Sequence, residues 1–553
     1  MKEFDKGLSA VRGNPGLGFL QRGIEKESLR VSPTGALSLS PHPQGLGSAL
    51  RHPFITTDFS EAQLELITGI SQSADHCIDE LTDIHRIVYE EIAEEMLWVA
   101  SMPCILDNDS DIPIGHYGSS NIGRAKAVYR NGLGHRYGKL MQTISGIHYN
   151  FSLPPSLWPA IAEAKGRQLD QRFRDQSYFH LIRNFRRYSW LLIYLFGASP
   201  AVCTSFTRNR EHDLDAFDEY SSYLPDATSL RMGPLGYQSG AQSSLHVSYN
   251  SLERYAQTMV DALIRPFPAY EDIGVEVDGH YRQLNTSLLQ IENEFYGSIR
   301  PKRRIHPGER PISALRKRGV EYVEVRCLDL NPFLQVGIEA ETLRFLDVFL
   351  LVCLLLPSPD DTEAESNEIL HNQLNTVREG RNPAATLMSN GHPKNLRQWA
   401  NELLELAEQM ASVMDHESGT DHHQASTTIQ RKKIEDADRT PSAMVLAAML
   451  DQRISFFTLA MNLSENHRQA FVQEPPNPEL RRHFASLAAD SIKDQSTQEA
   501  ADKQTFEQFL DSISESISIE LPRSLFAGLS RAWFDRRWIH GRLYQGPSPY
   551  FVA

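Results

Sequence analysis

The stretch GIEKESLRV (residues 23–31) decides how the chain is read. Side chains on a β-strand return to the same face every second residue. As a strand, this segment sets Glu25, Glu27 and Leu29 on one face and Ile24, Lys26 and Ser28 on the other. At about 3.3 Å of rise per residue, the two carboxylates stand about 7 Å apart. They repel each other unless a cation lies between or above them. Taken alone, one such pair also describes an ordinary solvated strand face, so the reading depends on whether the pattern recurs.

It recurs three times. In AQLELIT (62–68), Gln63 and Glu65 share a face opposite Leu64 and Leu66. In SGIHYNFSL (145–153), Ile147, Tyr149 and Phe151 alternate with His148, Asn150 and Ser152. In YVEVRCLDL (322–330), Glu324 and Arg326 lie opposite Val323 and Val325. FITTDF, just before the second of these four strands, supplies Asp58, and Glu61 follows. A further strand is expected at LNTSLLQIE (284–292), with Asn285 on its polar side. If the four strands join one sheet, Glu25, Glu27, Glu65, His148 and Glu324 converge on one surface. Carboxylates that dense require divalent cations, and oxygen donors suit Mg²⁺ or Mn²⁺. Mg²⁺ typically binds through a few carboxylates while substrate phosphates complete its shell. Arg326 adds the planar donor fork that matches a phosphoryl group. Phosphoryl transfer is mostly positioning and charge neutralisation, so this inventory suffices for it. Neither GxxxxGK[ST] nor GxGxxG occurs, which excludes P-loop and Rossmann nucleotide sites.

With 553 residues, 41% of them hydrophobic, the chain can bury a large core or more than one. A net charge of −15 argues against nucleic acid as a partner. The five cysteines, at 77, 104, 203, 327 and 353, form no C-x-x-C, so neither a zinc site nor a disulfide framework is expected. The start lacks an apolar signal-peptide core. FLDVFLLVCLLLP (345–357) is too short to cross a bilayer and carries Asp347, so it reads as a buried helix stopped by Pro357. A cytoplasmic protein with no membrane contact is expected. Helical periodicity is clear at 77–100 and 177–197. Long gaps between strands favour an α+β sheet with helical insertions. Residues 1–358 are read as the catalytic region and 359–553 as a mostly helical region packed on it. Helices in the latter are expected at 396–414 and 442–465. His416, His422 and His423 in DHESGTDHH are read as a solvated loop rather than a metal site.

RGIEKESLRV, FITTDFSEAQLELITG, the run 117–154, YLFGASPAVC (194–203), LLQIENEFYGSIRPKR (288–303) and GVEYVEVRCLDLNPF (319–333) together resemble the proteobacterial type of glutamate–cysteine ligase, also called γ-glutamylcysteine synthetase. The likeness spans residues 15–350 in order. It implies a curved antiparallel sheet similar to glutamine synthetase, with a polar metal-binding face surrounded by helices. It implies ATP-dependent ligation of the glutamate γ-carboxylate to the cysteine amine through γ-glutamyl phosphate, the first step of glutathione synthesis. Carried over by motif, Glu25, Glu27, Asp58, Glu65, His148 and Glu324 look like ligands of Mg²⁺ (or Mn²⁺), with Glu324 and Arg326 serving catalysis. Tyr129, Leu133, Gln142, Tyr237 and Tyr296 look like the cysteine pocket, and Arg231 is a candidate for a substrate carboxylate. Asn150 and Asn285 have no assigned role. The implied partners are the small molecules glutamate, cysteine and ATP, and a monomer is expected.

The charged segment FTRNREHDLDAFDE (206–219) departs from the family pattern and leaves substrate access there open. Some chains fuse this ligase to a glutathione synthetase domain. Here the tail shows no Gly-rich nucleotide loop, so the product is expected to be γ-glutamylcysteine. One rival reading is another γ-glutamyl amine ligase with the same sheet and a different amine pocket. A non-catalytic sensor of nucleotide and metal would have lost a ligand or phosphoryl-contact position, and all are filled.

Overall fold

The computed structural model of the chain describes residues 2–519 apart from 104, 107, 209, 237–239, 243, 244, 307 and 308. The strand read at 23–31 is central to the main sheet and begins two residues earlier, as β1 (Gln21–Val31). The sheet is completed by β2 (Ile55–Thr57), β3 (Gln63–Ile67), β4 (Met96–Leu97), β5 (Ile147–Ser152), β6 (Ile299–Lys302) and β7 (Tyr322–Leu328). Its order is β6–β7–β5–β1–β3–β2, with β4 pairing β1 off that path. Every pairing is antiparallel. A register irregularity between Val325 and Leu328 falls beside the polar face, where such a bulge bends the strand.

The register sets the two faces. Glu25 pairs His148 and Glu27 pairs Glu65, while Asn150 is flanked by Gly23 and Glu324. Ile24, Leu64, Leu66, Tyr149, Val323 and Val325 point the other way into one fully buried apolar core. Four helices matter for that core and for the site. They are α1 (Ala74–Glu91), α2 (Asn121–Tyr137), α3 (Gln171–Phe196) and α4 (Ala340–Leu355). α1, α3 and α4 cover the apolar face. Leu29 and Val31 carry β1 beyond its polar stretch into a second core with Phe59 and Trp98.

Among the described residues, the region after 358 is mainly helical. It contains α5 (Glu363–Glu379), α6 (Leu396–Ser418), α7 (His422–Glu435), α8 (Pro441–Gln452), α9 (Phe456–Gln473), α10 (Pro478–Ala501) and α11 (Phe506–Ile519). A hairpin, Thr386–Ser389 with His392–Asn395, interrupts them. α6 and α7 lie against α4, and α11 lies against α2. The last contact is specific. Phe506 and Phe509 form a small apolar cluster with Ile122 and Ala125, and the Arg124 guanidinium sits 4.3 Å from the Phe506 ring centroid. Asp502 accepts the Asn121 N–H (2.6 Å) and Glu499 accepts the Ser119 N–H (2.8 Å) at the start of α2. Two acids at a helix N-terminus satisfy its open amides and complement its dipole.

Four expectations need correction. The helix expected over 77–100 ends at Glu91, where Ala93 takes a positive φ of 52°, and Met96–Leu97 joins the sheet instead. Pairing with β1 outweighs the helical periodicity of that segment. Residues 284–292 form no strand. The Asn285 and Gln290 side chains bond the local backbone, Asn285 Nδ2 donating to Gln290 O (3.1 Å) and Leu284 N–H donating to Gln290 Oε1 (3.0 Å). Asn285 is therefore a turn-former and not a sheet-face residue. The single helix expected at 442–465 is two, α8 and α9, bent by 104° where Arg453 is left-handed and Ser455 caps α9. His422 and His423 open α7 rather than sit in a loop, with Asp415 accepting from His423 Nδ1 at 2.7 Å. Among the described residues no single helix is long and apolar enough to cross a membrane.

Candidate active site

Cross-strand pairing brings the sequence-singled residues of four strands onto one patch. His148 is its centre. Its Nδ1 lies 3.0 Å from Glu25 Oε2 and 3.7 Å from Glu324 Oε1, and its Nε2 lies 3.6 Å from Glu27 Oε1. Glu25, Glu65 and His148 each offer a ligand atom within 4.8 Å of the other two. Asn150 Nδ2 donates to Glu25 Oε1 (2.9 Å), and Glu27 Oε2 accepts the Gly146 N–H (2.8 Å). These bonds fix the carboxylates that edge the patch.

The electrostatics separate the acids into two groups. Burial and Glu324 oppose ionisation of Glu25, but His148 and Lys302 outweigh them and its pKa falls. Burial likewise opposes ionisation of Glu324, yet Lys302, Arg326, His148 and Arg300 hold it well below the usual carboxylate range. Burial and the nearby Asp58 push Glu27 up to about 8 against the pull of Arg231, Arg326 and the Gly146 amide. Burial and the carboxylates of Glu25, Asp58 and Glu27 hold Glu65 well above its ordinary value. His148 is lowered by burial and by Arg326, which leaves a neutral imidazole. The protein thus compensates the Glu25–Glu324 side of the patch, while Glu27 and Glu65 are compensated only in part and hold their protons more tightly.

The donor set fits divalent cations. It comprises hard carboxylate oxygens with one neutral imidazole, and two buried atoms within it, His148 Nε2 and Glu324 Oε2, have no hydrogen-bond partner. Both atoms are available to a ligand at the patch.

A cleft opens beside the patch. Glu27, Asp58, Tyr129, Leu133, Gln142, Tyr296 and Arg326 all line it, joined by Phe59, Arg130, Met141, Asn293 and Glu294. Acidic residues of the patch and residues expected to form the amino-acid pocket therefore share one space. α2 supplies Tyr129, Arg130 and Leu133, with Ser120 capping the helix through the Gly123 N–H. Gln142 Nε2 donates to Tyr296 Oη at 2.9 Å. Arg326 Nη1 donates to Glu324 Oε1 at 3.0 Å, which orients the guanidinium along the patch.

Arg231 is placed differently from the other candidates. It is 1% exposed, lies behind Gly146, donates to Arg326 O (3.1 Å) and stands 3.8 Å from Asp329. It does not line the cleft, and it reaches Glu27 through its field. Tyr237 lies outside the described residues. The charged segment 206–219 supplies one edge of a small sheet, Asp215–Ala216 pairing Ser221–Tyr223, and none of its described residues lines the cleft.

Sequence reasoning missed the cations that balance the patch. Arg300 pairs Glu324 across β6 and β7, and Lys302 Nζ stands 3.5 Å from Glu324. Lys126, lowered to about 7 by burial and Arg130, acts on Glu65 and Asp58 from α2. Glu294 was also missed. It lines the cleft while accepting from Arg136 (2.8 Å) and Tyr137 Oη (2.8 Å). The signal for β6 was present, since Arg300 and Lys302 repeat the two-residue spacing of Glu25 and Glu27.

Comparison with known proteins gives the same family from three directions. The family model described as glutamate–cysteine ligase matches residues 7–376. A glutamate–cysteine ligase of Alcanivorax borkumensis is 49% identical over 500 residues, covering 89% of this chain and 95% of that protein. One from Pseudomonas aeruginosa is 48% identical over 511 residues, covering 92% and 97%. The solved glutamate–cysteine ligase of Francisella tularensis, in complex with AMP, superposes with a TM-score of 0.85 at 36% identity, over 90% of this chain and 98% of that one. A bifunctional glutathione synthetase from Pasteurella multocida superposes with a TM-score of 0.66 at 25% identity, over 83% of this chain and 54% of its own. With a matching family model over most of its length, near relatives sharing half its residues and a common fold, the chain belongs to the glutamate–cysteine ligase family.

Proposed function

We propose that the acidic patch and the cleft beside it form one active site for ATP-dependent joining of the glutamate γ-carboxylate to the cysteine amine, yielding γ-glutamylcysteine, ADP and phosphate. The observation that carries this reading is that Glu27, Asp58 and Arg326 line the same space as Tyr129, Gln142 and Tyr296. A phosphoryl-handling surface and an amino-acid pocket meet there. Nucleotide use is supported by the AMP complex of the Francisella relative.

Glu25, Glu65 and His148, flanked by Glu27 and Glu324 and faced by Asp58, would hold Mg²⁺. When bound, Mg²⁺ supplies neutralisation of the ATP phosphates and of the charge that develops on transfer. The chain's own residues do the rest. Arg326, held by Glu324, aims its fork at the moving phosphoryl group, a preorganised donor where charge develops. The γ-carboxylate oxygen of glutamate attacks the terminal phosphorus, the bond to ADP breaks, and γ-glutamyl phosphate results. The cysteine amine then attacks the acyl carbon, phosphate departs with the former carboxylate oxygen, and the nitrogen loses a proton. The Tyr129, Leu133, Gln142 and Tyr296 wall orients the amine and excludes water that would hydrolyse the acyl phosphate. Arg231 biases the site from behind Gly146.

We read residues 1–358 as the catalytic region and 359–553 as the second region, whose described part, to residue 519, is mainly helical. All the polar-face residues precede 330, and α5 begins the helical run. The deciding experiment is phosphate release by purified protein with ATP, Mg²⁺ and glutamate, with and without cysteine. Release that requires cysteine and matches γ-glutamylcysteine formed is expected. Release with another amine but not with cysteine would overturn the pocket assignment while keeping the metal face.

A further inference from the structure

A second cleft, larger than the first and sharing no lining residue with it, lies between the helices Lys2–Val11 and Trp158–Ala164, the first half of α3 and the end of α4 at Leu355. Lys6, Lys165, Arg167 and Arg183 line it, against only two acids, Glu3 and Asp360. In a chain of net charge −15 this local excess of positive charge runs against the average.

The hydrogen-bond partners of Lys165, Arg167 and Arg183 are neutral. Arg183 is buried and donates to Tyr249 O (2.9 Å), Ser358 O (3.0 Å), Ser358 Oγ (3.1 Å) and Pro359 O (3.1 Å). Half-buried Lys165 reaches only Leu354 O and His180 Nδ1, each at 3.5 Å. His180 Nε2 lies against Leu356 O, so the ring proton is assigned there and Nδ1 offers a lone pair to the ammonium. Burial and Lys165 drive His180 down to about 3, so it stays neutral and adds no competing positive charge. Arg167 Nη2 donates to the Gln176 side-chain oxygen (3.0 Å). Glu3 acts on Lys165, and Asp360, Asp361 and Glu365 act on Arg183, from a distance, and no carboxylate oxygen among the described residues lies within 4.0 Å of either cation. Lys6 and Arg167 are exposed and Arg183 is fully hydrogen-bonded, so Lys165, half-buried with neutral partners and lowered to about 8 by burial, is the cation that gains most from an anion.

We infer that this cleft binds a small polyanion bearing phosphate or carboxylate groups, held by Lys165 and Arg167 with Lys6 at the rim and the fixed charge of Arg183 behind. The ligand contacts the C-terminal end of α4, the helix whose Asp347 is bonded to Arg22 and Tyr149 of the sheet. The site is independent of the catalytic reading.

The test is thermal-shift titration of the full chain with inorganic pyrophosphate and, separately, with citrate, both without added divalent ions. The two probes distinguish a phosphate from a carboxylate ligand. Saturable stabilisation by at least one is expected. It should weaken at least about tenfold in Lys165→Gln/Arg167→Gln, since two charge-assisted hydrogen bonds are lost, while ATP-dependent phosphate release is unchanged. Glu3→Gln should tighten binding, an effect of opposite sign that a misfolded variant cannot mimic. Equal affinity in all three proteins, saturable binding by neither probe, or loss of probe binding that tracks a raised KM for ATP would overturn the proposal.

Discussion

The two faces of β1 bury charge in opposite ways. On the inner face, Arg22 donates to Asp347 at 2.7 Å, Tyr149 donates to the same carboxylate at 2.5 Å, and Lys26 Nζ lies 2.7 Å from His85 Nε2. His85 Nδ1 faces Leu81 O at 2.7 Å, so the ring donates there and accepts from Lys26. Each charged group inside has a hydrogen-bond partner supplied by the fold, although Arg22 Nε and Ser28 Oγ have none of their own. On the outer face, Glu25, Glu27, Glu65 and Glu324 crowd one imidazole, and two buried atoms go without a bond. A strand can therefore carry charge on both sides, and whether the protein itself completes the partnership distinguishes scaffold from site.

The contrast can be broken from the inside first. Arg22→Met leaves Asp347 buried without its counter-charge, and should cost about 3–5 kcal/mol of stability, seen as a lower urea midpoint, with turnover per folded molecule retained. The opposite result is expected outside. Glu27→Gln should leave the urea midpoint within error and cut turnover by about 10²–10³-fold, measured as coupled phosphate release. A variant that loses stability and keeps turnover would place Glu27 with the inner face. Third, Mg²⁺ at a hundredfold its dissociation constant should stabilise the wild type by about 2.7 kcal/mol. Calorimetry should show a smaller gain in Glu65→Gln, which removes a ligand and the repulsion together. The smallest effect concerns the tail. Asp502→Ala removes an acceptor from the start of α2 and should cost about 1 kcal/mol, with KM for cysteine rising more than kcat falls, because α2 carries Tyr129 and Leu133.

Much of the outer face was legible because strand alternation is local. Glu25, Glu27, Glu65, His148 and Glu324 each sit in a run where period two is unbroken, and pairing put them together. β6 was missed because it has only four residues and an interior proline, Pro301, although Arg300 and Lys302 alternate correctly. The seat of Arg231 was invisible for a different reason. It depends on Gly146, where an added Cβ would lie 1.9 Å from Arg231 Nη2, a contact between segments far apart in the chain. Residues 284–292 misled because Leu288 and Leu289 are buried as strand residues would be, while Asn285 and Gln290 take over the backbone bonds.

The clamp on α2 has a consequence for how the enzyme is made. Asn121 and Asp502 are 381 residues apart in sequence. At ribosomal rates of 5–20 residues per second, about 20–80 s separate their synthesis. Every strand of the main sheet has been made by residue 328, so the acidic face can form well before its neighbouring wall is fastened. During that interval the nascent chain carries a finished charged surface beside an unsecured cleft, and the order of translation makes that cleft the last part of the proposed active site to mature.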